Sequence, residues 1–246
     1  MEVHAHSHTA RKKWTHYIWE FLMLFLAVFC GFMAENIREH KIEKEREKKF
    51  IRNLAEDLTQ DTISFTQSVK NFSLLVEKDD SLIQLLNSPD VKNYGSSLYY
   101  MGRLTSRSYS MAIHDATIQQ LKNSGGFRLI QNDEVAKKIM EYYNRLVFIN
   151  YLQQVELLES EDYRKMAIDV FHPVIFNSLI SPDDNSILRP SGNPALLTYD
   201  VQALRRLSGM VGYHKSSKLA ISTSQSDMKK AATQLIALIQ KEYYLK

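Results

Sequence analysis

One cysteine, five prolines and eight glycines in 246 residues leave this chain with few backbone breakers and no means of cross-linking itself. The cysteine, Cys30, lies inside an apolar run, so the rest of the chain has no internal disulfide and no thiol chemistry. So little Gly and Pro favours long helices over a strand-and-turn fold. Charge is nearly balanced, 31 basic against 28 acidic side chains, without the basic excess of a nucleic-acid binder. Catalytic signatures are missing as well. There is no G-x-G-x-x-G, no G-x-x-x-x-G-K-[ST], no H-E-x-x-H and no G-x-S-x-G. The Glu-x-x-His pairs of di-iron bundles are absent too. Beyond the apolar run the histidines are His40, His114, His172 and His214, spread over different elements. The expectation is therefore a non-enzymatic protein with no cofactor, no metal, no nucleic acid and no identifiable small-molecule substrate.

What the chain does have is one strongly apolar stretch. From Phe21 to Ala34 every residue is apolar or Gly. Extended back to Tyr17, a helix of about 18 residues spans roughly 27 Å, close to a bilayer core of about 30 Å. Trp14, Tyr17 and Trp19 sit at one end, where amphipathic rings favour the headgroup level, and Arg11, Lys12 and Lys13 flank it. A cleaved signal peptide needs small residues before the cut, but Phe32 stands two before Ala34 and Phe29 precedes Cys30. A soluble core helix would not be apolar on every face with aromatics and a basic cluster at one end. The expected assignment is a retained signal anchor at 14–36, after a disordered basic, His-bearing tail at 1–13, with a helical stalk and bundle domain at 37–246. Glu20, one turn inside the aromatic edge, either snorkels or pairs with Lys13, His16 or a partner's helix.

Past Ala34 the sequence turns charged, and Glu35–Arg38 and Glu45–Lys49 are spaced for helical ion pairs. Ile51, Leu58, Phe65 and Phe72 then recur every seven residues, with Leu54 and Leu75 on a second seam that Asp61 and Ser68 interrupt. The pattern suits a bundle better than a strict two-stranded zipper. Unbroken from about 36 to 86, this helix would be on the order of 75 Å long. Asn87-Ser-Pro-Asp90 ends it.

Residues 91–110 read as irregular. Tyr94, Tyr99, Tyr100 and Tyr109 lie among Arg103 and Arg107, residue types that bind partners or carbohydrate well. Tyr99, Tyr100, Arg103 and Arg107 are the loop interaction candidates; the competing reading is a loop packed over the bundle. Asp115 is expected to cap a helix over Ala116–Asn123 that Gly125 and Gly126 end. His114 beside Asp115 reads as an ordinary cap. Lys122 and Asn123-Ser-Gly-Gly126 follow a helix, the wrong end for an anion. Asn132 caps a helix running from Asp133 to about Phe171, ahead of Pro173. A long connection follows, with a short helical turn expected over Val174–Leu179 and with Asp183 and Asp184 read as a solvated turn. Asp200 caps a last helical region, in which Val201, Leu204, Leu207 and Val211 form the first apolar face. Gly209, Gly212 and the Ser/Thr-rich stretch 216–226 are places where it would bend or fray.

Three stretches carry a resemblance. They are Trp14-Thr-His-Tyr-Ile-Trp-Glu-Phe-Leu with Ala34-Glu-Asn36, then Phe50-Ile-Arg-Asn-Leu-Ala-Glu-Asp-Leu58, and then Ala116-Thr-Ile-Gln-Gln-Leu-Lys-Asn-Ser-Gly-Gly-Phe-Arg-Leu-Ile-Gln-Asn-Asp-Glu134 followed by Tyr142-Tyr-Asn144. Over about residues 11–150 the chain resembles an uncharacterised family of bacterial single-pass membrane proteins with an N-terminal anchor and a helical C-terminal domain. Its anchor is richer in Phe and Met than the commonest form of that family. The resemblance implies membrane location and a helical domain, and no activity.

The expected fold is all-α: an N-terminal transmembrane helix continuing into a long stalk helix packed in an elongated helical bundle. The expected function is an interaction or assembly subunit of a bacterial envelope complex. Its partners are the lipid bilayer and either itself or another membrane protein, with Trp14, Tyr17, Trp19 and Glu20 as anchor and interaction candidates. A ligand-sensing extracytoplasmic bundle is the alternative. Three basic residues precede the span and six follow closely (Arg38, Lys41, Lys44, Arg46, Lys48, Lys49), a count that taken alone favours a cytoplasmic C-terminus. Long domains translocate largely regardless of flanking charge, and the lead flank has no acid between Val3 and Trp19. The expectation is an inner-membrane protein with its domain outside the cytoplasm.

Overall fold

The computed structural model describes residues 14–109 and 111–245; the 1–13 tail, with its alternating histidines and Lys13, lies outside them. Among the described residues the fold is all-α, with helices α1 (Trp14–Leu86), α2 (Gly95–Thr105), α3 (Ala116–Asn123), α4 (Asp133–Val170), α5 (Pro173–Ser178) and α6 (Val201–Tyr243). No strand forms among them, only an isolated bridge between Ile180 and Ile187. The chain divides into two compact units, residues 1–50 and 51–246.

In the first unit the described residues all belong to α1. The side chains from Trp14 to His40 are exposed. This helix is long and apolar enough to cross a membrane. Phe21, Phe25 and Phe29, four residues apart, stack along one face at 6.3 and 6.0 Å between ring centroids. Glu20 pairs with His16, whose Nε2 is 3.1 Å from its carboxylate. Glu35 and Arg38 pair as their spacing requires.

The second unit is built on the end of α1, α4 and α6. Each buries a seam in which steps of three and four residues alternate. On α1 it runs Ile51, Leu54, Leu58, Asp61, Phe65, Ser68, Phe72, Leu75, Asp79, Leu82, Leu86, all buried. On α6 it runs from Leu204 and Leu207 through Val211, His214, Lys218, Ile221 and Gln225 to Met228, Ala232, Leu235 and Ile239. On α4 the buried positions Val135, Ile139, Tyr142, Leu146 and Ile149 continue through Glu156, Ser160, Tyr163, Ala167 and Val170. Steps averaging 3.5 residues keep one stripe facing its neighbours over many turns. Asp61 and Ser68, expected to interrupt the seam, are instead part of it.

Polar contacts fix the directions. Asn87 Nδ2 donates to Ser208 Oγ at 2.7 Å and Lys218 Nζ to Asp79, so α1 and α6 run antiparallel. Asn132 Nδ2 donates to Glu242 and His214 meets Glu156, so α4 and α6 are antiparallel too. The segment 106–132, which carries α3, returns the chain along α1. Thr105 bonds Asp79, His114 bonds Asp61 and Thr117 bonds Asp57, each farther back.

Local signals mostly act as expected. Asn132 accepts from Val135 N–H at 3.0 Å and Asp200 from Ala203 N–H at 2.8 Å. Gly125 takes the left-handed conformation after α3, at φ 66°, but Gly126 begins a 3₁₀ turn. Asp115 does not cap α3. Its carboxylate accepts from Gln119 Nε2, and Asp57 of α1 accepts from Thr117 N–H at 3.2 Å in its place. Val201 is exposed, because the α6 stripe starts at Leu204. The glycines and serines of α6 do not interrupt its helix. Residues 91–105 are not irregular: a 3₁₀ turn at Val91–Tyr94 leads into α2 at Gly95–Thr105, with Leu98, Tyr99, Gly102 and Thr105 buried along one face. Gly102 is required by close approach, since a Cβ there would lie 2.5 Å from Phe171 Cζ. α2, α5 and the 179–199 connection close this end over a core of Leu82, Leu86, Tyr99, Phe171, Leu196 and Leu204.

Candidate functional site: a buried polar layer

The polar seam positions do not scatter. Asp79 of α1 accepts from Lys218 Nζ at 2.8 Å and from Thr105 Oγ1 at 2.6 Å, and both charged side chains are 0 % exposed. One turn before Lys218 on α6, His214 Nε2 lies 2.7 Å from Glu156 Oε1 of α4, with both residues buried. The Tyr163 ring stacks beside His214 at 6.3 Å, and its hydroxyl donates to Gly102 O at 2.7 Å. Three long helices and α2 thus meet in one buried polar layer. Lys215 and Asp80, paired at 2.6 Å, stand at its rim.

Not every group in the interior is satisfied. His214 Nδ1, Ser160 Oγ and both side-chain polar atoms of Gln225 are buried without a hydrogen-bond partner.

A second polar station sits on Asp61. Its Oδ1 accepts from His114 N–H at 2.8 Å and lies 3.0 Å from His114 Nδ1, and its Oδ2 accepts from Tyr142 OH at 2.7 Å. Tyr142 and Tyr143 meet edge to face at 5.0 Å. Burial first, then the Asp61 charge, raises both phenols above the ordinary tyrosine range. Tyr163 is raised for the same reason, by burial and then by Asp79.

These shifts set an alkaline limit. Below about pH 10 the three phenols are neutral in both folded and unfolded chains and add no pH dependence. Above it the unfolded chain releases those protons while the folded one keeps them, so stability falls as pH rises. Each phenol contributes a slope of about 1.4 kcal/mol per pH unit. Urea unfolding at about pH 9 and about pH 11, with tyrosinate absorbance followed in parallel, should show the loss and a share of phenols that ionise only on unfolding. Full ionisation in the folded state would contradict this burial.

The sequence candidates are distributed differently. Tyr99 is a core residue: its OH donates to Ala195 O at 3.0 Å and accepts from His172 N–H at 2.9 Å. It is thereby removed from any interaction surface. Tyr100 is half-buried under Arg189, whose guanidinium carbon is 4.3 Å from the ring centroid. Arg103 lies over Phe176 at 4.9 Å, and Arg107 donates to Asn185 O. Trp14, Tyr17, Trp19 and Glu20 lie on the exposed start of α1. His114 pairs with Asp61 rather than with its neighbour Asp115. Asp184 accepts from Ser186 N–H, one of several bonds that hold its carboxyl below the usual range, as in a solvated turn. Among the described residues no group of three or more His, Cys, Asp or Glu side chains could hold a metal ion.

Asp79, Glu156 and Lys218 were not among the sequence candidates. Counting threes and fours onward from Ile51 reaches Asp79, and counting from Leu204 reaches His214 and Lys218; that lattice was the available signal. No family model, no curated protein and no solved structure matches this chain.

Proposed function

We propose that this protein is a non-enzymatic, membrane-anchored assembly subunit of a bacterial envelope complex, held in the inner membrane by the start of α1. One observation carries the reading. On its outer face α4 bears a second apolar stripe, Phe148, Tyr151, Val155 and Leu158, with the same alternation of three and four. Phe148, Tyr151 and Leu158 are exposed, at 57 %, 62 % and 64 %. Val147 adds to the patch, and Phe148 and Tyr151 stack on each other at 6.5 Å. Apolar side chains repeated at seam spacing are what a further helix packs against. Sealing of the ionisable side chains away from solvent in the polar layer favours a structural role for them over catalysis.

The native mass of the gently solubilised chain tests this. The wild type should migrate as a complex, with itself or with another membrane protein. Phe148→Glu with Leu158→Glu should dissociate it with little change in stability, because both positions are exposed. A wild-type monomer with no companion would overturn the proposal. The orientation placing residues 51–246 outside the cytoplasm is tested by an alkaline-phosphatase fusion after Lys246, which should be active. A second reading, an extracytoplasmic ligand-sensing bundle, is favoured by the arginines gathered at the end of α2.

A further inference from the structure

Arg103, Arg107 and Arg164 come together where α2 ends. Arg103 Nη1 donates to Ser106 Oγ at 3.2 Å, and Arg164 reaches the same residue from α4, donating to Ser106 O through Nε at 3.2 Å and Nη2 at 3.0 Å. Arg107 follows Ser106 directly and donates to the Asn185 carbonyl. Among the described residues none of the three guanidinium groups has a carboxylate within 4.0 Å, whereas most ion pairs of this chain form between helix neighbours three or four residues apart. After burial, the largest electrostatic influence on Arg103 is the positive charge of Arg107, and Arg164 adds to it; together they lower its pKa.

Capping the end of α2 accounts for part of this arrangement. Cations suit a helix C-terminus, and the Arg164 fork satisfies the Ser106 carbonyl. One arginine is enough for that, yet three are present, each carrying five N–H groups. Arg103 Nε is buried with no acceptor, and the buried Ser108 hydroxyl has no partner. Arg103 packs its guanidinium carbon 4.9 Å from the Phe176 ring centroid, which limits where the group can swing. Donors and excess positive charge together call for an anion with several acceptor oxygens.

We propose that Arg103, Arg107 and Arg164 bind a phosphate group, a tetrahedral oxyanion whose oxygens take paired N–H donors. The site is independent of the assembly reading and uses none of the α4 stripe. The group is supplied either by a free phosphate compound or by a lipid headgroup.

The test is titration calorimetry of the full chain in nonionic detergent with inorganic phosphate, chloride being exchanged to keep ionic strength constant. Saturable binding with a Kd on the order of 1 mM or tighter is expected. Arg107→Gln and Arg164→Gln should each weaken it about tenfold; the thermal midpoint without phosphate should change little in Arg107→Gln and fall in Arg164→Gln, which gives up the bonds to the Ser106 carbonyl. Competition by phosphatidic acid added to the micelles assigns the site to a headgroup, and lack of competition assigns it to a free phosphate compound. No saturable heat, or binding that persists unchanged in both variants, would overturn the proposal.

Discussion

Lys218→Met alone should destabilise the helical unit by about 3–5 kcal/mol, because it leaves the Asp79 carboxylate buried without its counter-charge. Thr105 would remain on Asp79, but one hydroxyl donor does not replace an ammonium group 2.8 Å away in a site closed to water. The paired change, Asp79→Leu with Lys218→Met, should recover most of that loss or exceed it, since apolar replacements of buried ion pairs are neutral to stabilising by about 1–4 kcal/mol. Thr105 would not be orphaned in the double variant, because its hydroxyl also lies 3.0 Å from Met101 O. Urea unfolding of the four chains of this cycle, followed by circular dichroism, measures the coupling directly. A single-variant loss below about 1 kcal/mol would mean that the pair is solvated and that the layer is not dry. Recovery in the double variant together with changed oligomer mass would point to a role in fixing helix register, the best-attested use of buried polar seam residues.

The second large effect concerns the proposed anchor. Leu24→Arg with Val28→Arg places two guanidinium groups near the middle of the apolar run. Each costs about 2.5–3.5 kcal/mol at a bilayer centre, so the pair opposes insertion by about 5–7 kcal/mol. That is a shift on the order of ten-thousandfold or more in the inserted-to-released ratio. The wild type should stay with membranes washed in alkaline carbonate, and the double variant should be released or degraded. Equal retention of both would remove the start of α1 as the anchor. Both side chains are exposed in the first unit, so the helix itself loses little from the change.

How much of this was legible in the sequence differs from element to element. The caps at Asn132 and Asp200 were, because an N-cap is decided by a side chain and a backbone N–H three residues away. The cap of α3 was not: Asp115 stands in the right place, but Asp57, far away in the chain, supplies the bond. The helix α2 was missed because Gly95, Ser96, Ser97 and Gly102 make a poor local helix former, and what holds it is Phe171 against Gly102 and Tyr99 against Ala195 and His172. The candidate surface Tyr99 became core by the same contacts.

The sequence by itself determined the helical class, the long apolar start and the seven-residue rhythm of the bundle, because these follow from local spacing, breaker content and length. Only the tertiary structure decided which helices face each other, and with that the meaning of the polar residues on the rhythm. Asp61, Asp79, Glu156, His214 and Lys218 look like interruptions when each helix is read alone. Set side by side by antiparallel packing, Asp79 and Lys218 are a buried pair, as are Glu156 and His214, while Asp61 takes His114 and Tyr142. A buried charge is tolerable only beside its partner, and the partner lies on another helix at a separation that no local pattern encodes.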